Sequence, residues 1–321
     1  MIDIGGLFSQ SFTLVWRRKF LWLMGLLMGI NGLVVGLARP FLRTAVPEQW
    51  LSLEYWLEMV QSGAFQLPAI NLTTAELWRY VLWGALTLFV YVVLFWVIVM
   101  VAEGAIIGAA IEESDGRPSH LGRSVRLGIG YLPRFAAIDA AVFLPVFLLL
   151  LLLMVVALAD TAVIAYLTLQ TQTETSTVIT IYALGWLCVL ALGCCIPPLT
   201  IVLAWYRTLA FRDAAILHHS VRESLPHTRQ VIRQRFGELL ALAVLLYGLN
   251  YVLGWLFSLL MLPVLALTAV PLAAGITSPL GFVAAATNLL LSLLTALLKG
   301  MVHAFTAVAW TLAYRELSHN P

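Results

Sequence analysis

Residues 239–298 contain no Asp, Glu, Lys or Arg. About 20 apolar residues in a helix, each rising about 1.5 Å, cross the roughly 30 Å hydrocarbon layer of a bilayer. A charge-free stretch of this length therefore holds one membrane span, a connection and a second span. Shorter runs of the same kind occupy 20–38, 80–102, 140–159 and 175–206. Hydrophobic residues make up 62% of the chain and charged residues 11%, against about 45–50% and about 25% in soluble domains. Lipid offers no partner to an open strand edge, so spans this apolar fold as helices.

The fold class expected is an all-α, polytopic membrane protein with about six transmembrane helices in three hairpins. The spans read as Phe20–Ala38, Ala75–Ile107, Phe135–Ala159, Val178–Arg207, Glu238–Leu262 and Leu280–Ala313. Asp160–Thr177 reads as a polar outer loop. Pro197-Pro198 is expected to kink span four. The apolar stretch 263–280, with Pro263, Pro271 and Pro279, is a candidate to dip back into the membrane. The residues 1–321 read as a single integral membrane domain, and no cleavable signal is expected at Met1–Arg18.

Around the basic stretch Ala204–Phe236 the chain repeats itself. Leu209-Ala210-Phe211-Arg212-Asp213 reappears as Leu312-Ala313-Tyr314-Arg315-Glu316, each with an Ala-Trp pair upstream. Ser224 to Arg235-Phe236 has counterparts at Ser124 to Arg134-Phe135 and Ser11 to Lys19-Phe20. Three pseudo-repeats follow, about 1–107, 115–213 and 220–316. Each is a cytoplasmic amphipathic helix, a span out and a span back. In the first, Phe8, Phe12, Val15 and Trp16 share one side of a helix and Gln10, Thr13 and Arg17 the other, the pattern of a helix lying in the interface. A second interfacial helix is expected around Trp50, Trp56 and Val60 in the outer segment 41–73.

The cations set the orientation. Arg17, Arg18 and Lys19, Arg117 to Arg134, Arg207 to Arg235 and Arg315 fall on one side, and only Arg39, Arg43 and Arg79 on the other. The positive-inside rule places both termini in the cytoplasm of a prokaryotic cytoplasmic membrane. Arg17, Arg18, Lys19, Arg134, Arg233 and Arg235 are the expected contacts with anionic lipid headgroups. Juxtamembrane cations of this kind meet lipid, so no nucleic-acid partner is expected. Gly25, Gly29, Gly32 and Gly36, spaced four, three and four, share one face of span one and suit close helix packing. Other membrane subunits are the remaining candidate partners.

The polar residues of span six are the best site candidates. Asn288, Ser292, Thr295, Lys299, His303 and Thr306 occupy an arc of about 80° at 3.6 residues per turn. An ionisable group inside a span marks a functional site by default, and an unpaired lysine at mid-bilayer costs about 2.5–3.5 kcal/mol on insertion scales. Glu103 is the first candidate partner for Lys299 and Asp139 the second. The same pattern also fits a structural ion pair or a lysine reaching to the interface. A weaker stripe, Tyr247, Asn250, Tyr251, Gly254 and Ser258, runs along span five.

No nucleophile elbow, P-loop, dinucleotide fingerprint or zinc-protease motif occurs, so no catalytic residue and no cofactor is nominated. His218, His219 and His227 lack ligand spacing and read as solvated or lipid-facing, so no metal site is nominated either. Cys188, Cys194 and Cys195 lie in one apolar span and read as small buried apolar residues.

The alternation of cytoplasmic helices with membrane hairpins, and the junction LAFRDAAILHHSVRESLPHTRQVIRQRF, resemble bacterial six-helix integral membrane proteins. Among named families they resemble the membrane domain attached to some glycerophosphodiester phosphodiesterases. The likeness is one of pattern and spans most of the chain. It implies the six-helix fold. Those enzymes carry their chemistry on a separate soluble barrel with no counterpart here, so it implies no hydrolase activity. The reading that follows is a non-enzymatic accessory subunit or scaffold, with a small transporter or lipid-handling protein as the alternative.

Overall fold

The computed structural model describes residues 3–29, 74–170, 175–273 and 279–319. They form helices α1 (Ile4–Arg17), α2 (Phe20–Met28), α3 (Thr74–Ser114), α4 (Leu121–Gln170), α5 (Thr175–Ile216), α6 (Val221–Gln234), α7 (Phe236–Ala273) and α8 (Pro279–His319). No strand occurs among the described residues. Among the described residues, five helices are long and apolar enough to cross a membrane, over Leu82–Ser114, Leu121–Ala157, Gly185–Ile216, Phe236–Pro263 and Phe282–Ser318. The all-α membrane fold is therefore as expected. Of span one, the part beyond Gly29 lies outside the described residues, as do Gly32, Gly36 and the outer helix around Trp50–Val60.

Three boundaries differ from expectation. The cytoplasmic helix with Arg123, Arg126 and Arg134 and span three form one helix, α4, which runs through Pro133 and Pro145. A proline removes only its own donor and crowds one carbonyl, which bends a helix without having to end it. Residues 160–170, expected in a loop, complete α4. Neither Gly nor Pro interrupts 146–184, and Val163, Tyr166 and Leu167 keep a helical spacing. Likewise α7 continues past Pro263 to Ala273, so 263–273 is helical. Pro197 and Pro198 lie inside α5, which passes through them.

Two compact units emerge. The first comprises 1–132 and 237–313. Its core joins Val15, Leu21 and Met24 to Ala102, Ala105, Ile106 and Ala109 of α3 and to Ala304, Ala307 and Val308 of α8. Alanine and glycine allow the helices to touch backbone to backbone, where dispersion and not water release holds membrane helices together. A Cβ on Gly25 would collide with the Gly300 carbonyl oxygen, and one on Gly300 would meet the Leu26 nitrogen at 2.6 Å. Gly29 faces the His303 ring. Arg18 pairs with Glu113 at 2.7 Å, and the Trp22 indole donates to the Val15 carbonyl at 2.9 Å.

Helix α1 turns Leu7, Ser11 and Val15 inward. Phe12 and Trp16 remain exposed and stack on each other, 5.8 Å between centroids. Val15 thus leaves the face on which the sequence grouped it with Phe12 and Trp16, because it points into the α2–α3–α8 core.

The second unit comprises 133–236 and 314–321. Phe135 stacks on Phe211 at 4.1 Å and 9°. The Arg207 guanidinium sits 4.2 Å over the Phe211 ring and pairs with Asp139. Helix α6 packs against α5 through Ser224, whose hydroxyl donates to the Ala210 carbonyl at 3.0 Å.

Candidate functional site

Among the described residues, a cluster of polar side chains lies where α5 ends. The Leu217 N–H closes the last turn on the Asp213 carbonyl at 3.0 Å. His218 then adopts φ +56°, a left-handed conformation costing about 1–2 kcal/mol for a residue with a Cβ. That bend reverses the chain within four residues and carries His219 back to α5. Ser220 opens α6, whose second turn presents His227.

Asp213 is fully buried and receives three side chains. His219 Nδ1 lies 3.0 Å from Oδ2 and His227 Nδ1 2.5 Å from Oδ1. The Tyr314 hydroxyl donates to Oδ1 at 2.7 Å. A carboxylate only accepts, so in this arrangement each Nδ1 carries the proton. A buried carboxylate costs several kcal/mol unless hydrogen bonds replace its water, and these three do so. The histidine rings meet edge to face, 5.2 Å apart at 81°, and each side chain keeps a third of its surface exposed, 33% and 34%. Asp213, His219 and His227 each offer one metal-ligand atom, all within 4.8 Å of one another.

A related turn closes α3. Glu113 accepts from the Ser119 N–H and hydroxyl at 2.9 and 3.0 Å, and from Arg18. In both turns a carboxylate holds the side chain six residues on, and in both the next buried serine, Ser124 or Ser224, follows the carboxylate by eleven residues. Only the turn after Asp213 fills these positions with histidines.

The stripe on α8 is only partly assembled. Lys299 and His303 line an open cavity of about 700 Å³ together with Tyr247, Asn250, Tyr251 and Gly254 of α7. Asn250 donates to Thr306 at 2.8 Å, which joins the two polar stripes. Lys299 itself is exposed, whereas Glu103 is 3% exposed within the helix packing. Asp139 belongs to the second unit and pairs with Arg207. Asn288 turns back to the carbonyl of Ala284 in its own helix, about 16 Å along α8 from Lys299 at 1.5 Å per residue. Thr295 is half-buried.

Of the expected headgroup contacts, Arg17, Lys19 and Arg134 are exposed and Arg18 is engaged by Glu113. Arg233 lines a groove of about 650 Å³ with Tyr206, Pro226 and Arg229, and Arg235 is half-buried. Cys194 and Cys195 are exposed on α5, not buried as expected, because that part of α5 packs on little else.

Sequence reasoning singled out the Leu209–Asp213 motif and the three histidines but did not join them. The one available signal was the repeat, which aligned Phe211 with Tyr314 and marked both segments as special. No protein-family model, curated protein or solved structure matches this chain.

Proposed function

We propose that this chain is a non-enzymatic accessory subunit or scaffold of a prokaryotic cytoplasmic membrane, with both termini in the cytoplasm. The observation that supports it is where packing stops. In the first unit α3 is exposed at nearly every position from Leu82 to Leu94 and becomes continuously buried from Ala102 to Ala110. Helix α8 exposes Leu280, Phe282, Leu290 and Leu294 and buries most positions from Gly300 onward. In the second unit α5 exposes Leu187, Leu190, Ile201 and Val202, then buries 209–215. These sections run about 20–24 Å at 1.5 Å per residue, most of the roughly 30 Å hydrocarbon thickness.

On this reading the exposed sections occupy the bilayer, and the Ala-rich cores lie at the inner leaflet and below it. The exposed faces of these spans suit contact with lipid or partner helices. The amphipathic helices α1 and α6 hold the leaflet surface, and Arg229 and Arg233 suit an anionic headgroup. The threefold repeat fits as well, since Ser11, Ser124 and Ser224 are all fully buried.

The cavity at Lys299 and His303 favours the second reading, a small transporter or lipid-handling protein. Native mass spectrometry of protein released gently from its own membrane separates the two. A stoichiometric protein partner is the result expected. Release alone, or with one tightly held lipid or small molecule, would remove the scaffold reading. Lys299→Leu would then be expected to abolish transport without unfolding the protein.

A further inference from the structure

We propose that Asp213, His219 and His227 form a binding site for one divalent transition-metal ion of the zinc class. Two imidazoles and a carboxylate are a ligand set for Zn²⁺ and its borderline neighbours, which take three protein ligands and leave a fourth position to water. The three ligands come from the last turn of α5, the connection and the second turn of α6. An ion there would clamp the α5–α6 hairpin.

The surroundings suit the task. The carboxylate is fixed from behind by the Tyr314 hydroxyl, the kind of outer hydrogen bond that orients a metal-ligating group. The two rings lie on the open side, each a third exposed, so an ion can arrive from water. The strained His218 backbone is what brings His219 into reach.

The present spacing is that of hydrogen bonds. Metal–ligand distances of about 2.0–2.2 Å in a tetrahedron put neighbouring ligand atoms about 3.3 Å apart. The His227 contact with Oδ1, at 2.5 Å, must therefore widen by about 0.8 Å, and because the His219 contact at 3.0 Å is with the other oxygen, Oδ2, the rings must also shift to share one ion with a single carboxylate oxygen. The exposed rings can make that movement by side-chain rotation. Coordination through Nδ1 requires the proton there to move to Nε2 or to water. The Glu113 turn, with serine and arginine in place of the imidazoles, is an internal comparison that lacks a metal-binding set.

The test uses untagged full-length protein in detergent, stripped with a chelator and then titrated with Zn²⁺ against a chromophoric competitor. Wild type is expected to bind one equivalent, to rise in melting temperature with Zn²⁺, and to give the intense visible absorption of tetrahedral Co²⁺ when cobalt replaces zinc. His219→Ala and His227→Ala should each lose the cobalt band, while His218→Ala keeps it. Tyr314→Phe leaves every ligand in place and should weaken zinc by about 10–100-fold. His227→Gln retains a side-chain donor for Asp213, so it should stay folded yet gain no stability from zinc. Wild type that binds no stoichiometric zinc, or histidine variants that bind it as wild type does, overturns the proposal. If the variants do not fold, the wild-type stoichiometry and cobalt spectrum decide it.

Discussion

Gly25 and Gly300 leave no space for a methyl group between α2 and α8. The atoms that a Cβ on Gly25 would meet are the Gly300 carbonyl and the Ala304 nitrogen, all backbone. Backbone cannot swing aside as a side chain can, so Gly25→Ala must push the helices apart. Overpacking costs about 1–3 kcal/mol, and the gain of about 1 kcal/mol from alanine's better helix propensity offsets part of it. Gly25→Ala should therefore lower the unfolding temperature in detergent. Gly84→Ala on α3, where a Cβ meets nothing within 4 Å, should leave it unchanged or raise it. The glycine spacing on span one was visible in the sequence because a four–three repeat needs no partner to be seen. Gly300 was not, since a single glycine on α8 gains meaning only from the backbone opposite. Asp213 is the same case. Its motif stood out, but its donors lie 6, 14 and 101 residues away, and no local period connects them.

The element whose start depends most on side chains is α6. The Ser220 N–H and hydroxyl donate to Glu223 at 3.0 and 2.8 Å, and these bonds hold the Glu223 carboxyl below the usual carboxylate range. A carboxyl whose folded value is depressed stabilises the helix fully above its unfolded value of about 4.3. That contribution is lost as pH falls through the lower, folded value. Amide protection in the first turn of α6 should drop on acidification below about pH 4 in wild type. Glu223→Gln, which does not titrate, should show no such step. Helix identity was legible throughout the described chain because long apolar runs and the absence of strand patterning leave no other choice. Helix ends were less so. A change of polarity suggested a loop at 160–177 and a cytoplasmic helix separate from span three before Phe135, yet over 121–170 nothing stops the backbone ladder of α4, and a proline alone does not. Where breaks do occur, at Arg18 and Arg235, the chain leaves helical geometry just before a phenylalanine that opens the next helix.

At the scale of the molecule, helix length exceeds what a bilayer needs. Helices α3, α5 and α8 have 41, 42 and 41 residues, about 60 Å each, twice the hydrocarbon thickness. One end of each extends past the hydrocarbon layer, and on the proposed reading it is the packed end. In α3 the charged residues Glu103, Glu112 and Glu113 sit in the packed half, and in α5 so do Arg207, Arg212 and Asp213. The half that remains exposed carries almost no charge. If the packed half of α3 is cytoplasmic, the α3–α4 connection near His120 is inside. In a chain freed of its native cysteines, His120→Cys should then react with a membrane-impermeant maleimide only after the cells are opened. Labelling of His120→Cys on intact cells would put the packed end of α3 outside, which the cations oppose. Arg123, Arg126, Arg222, Arg229 and Arg233 all follow the packed ends, and translocating so many would require the positive-inside bias to fail at two connections at once.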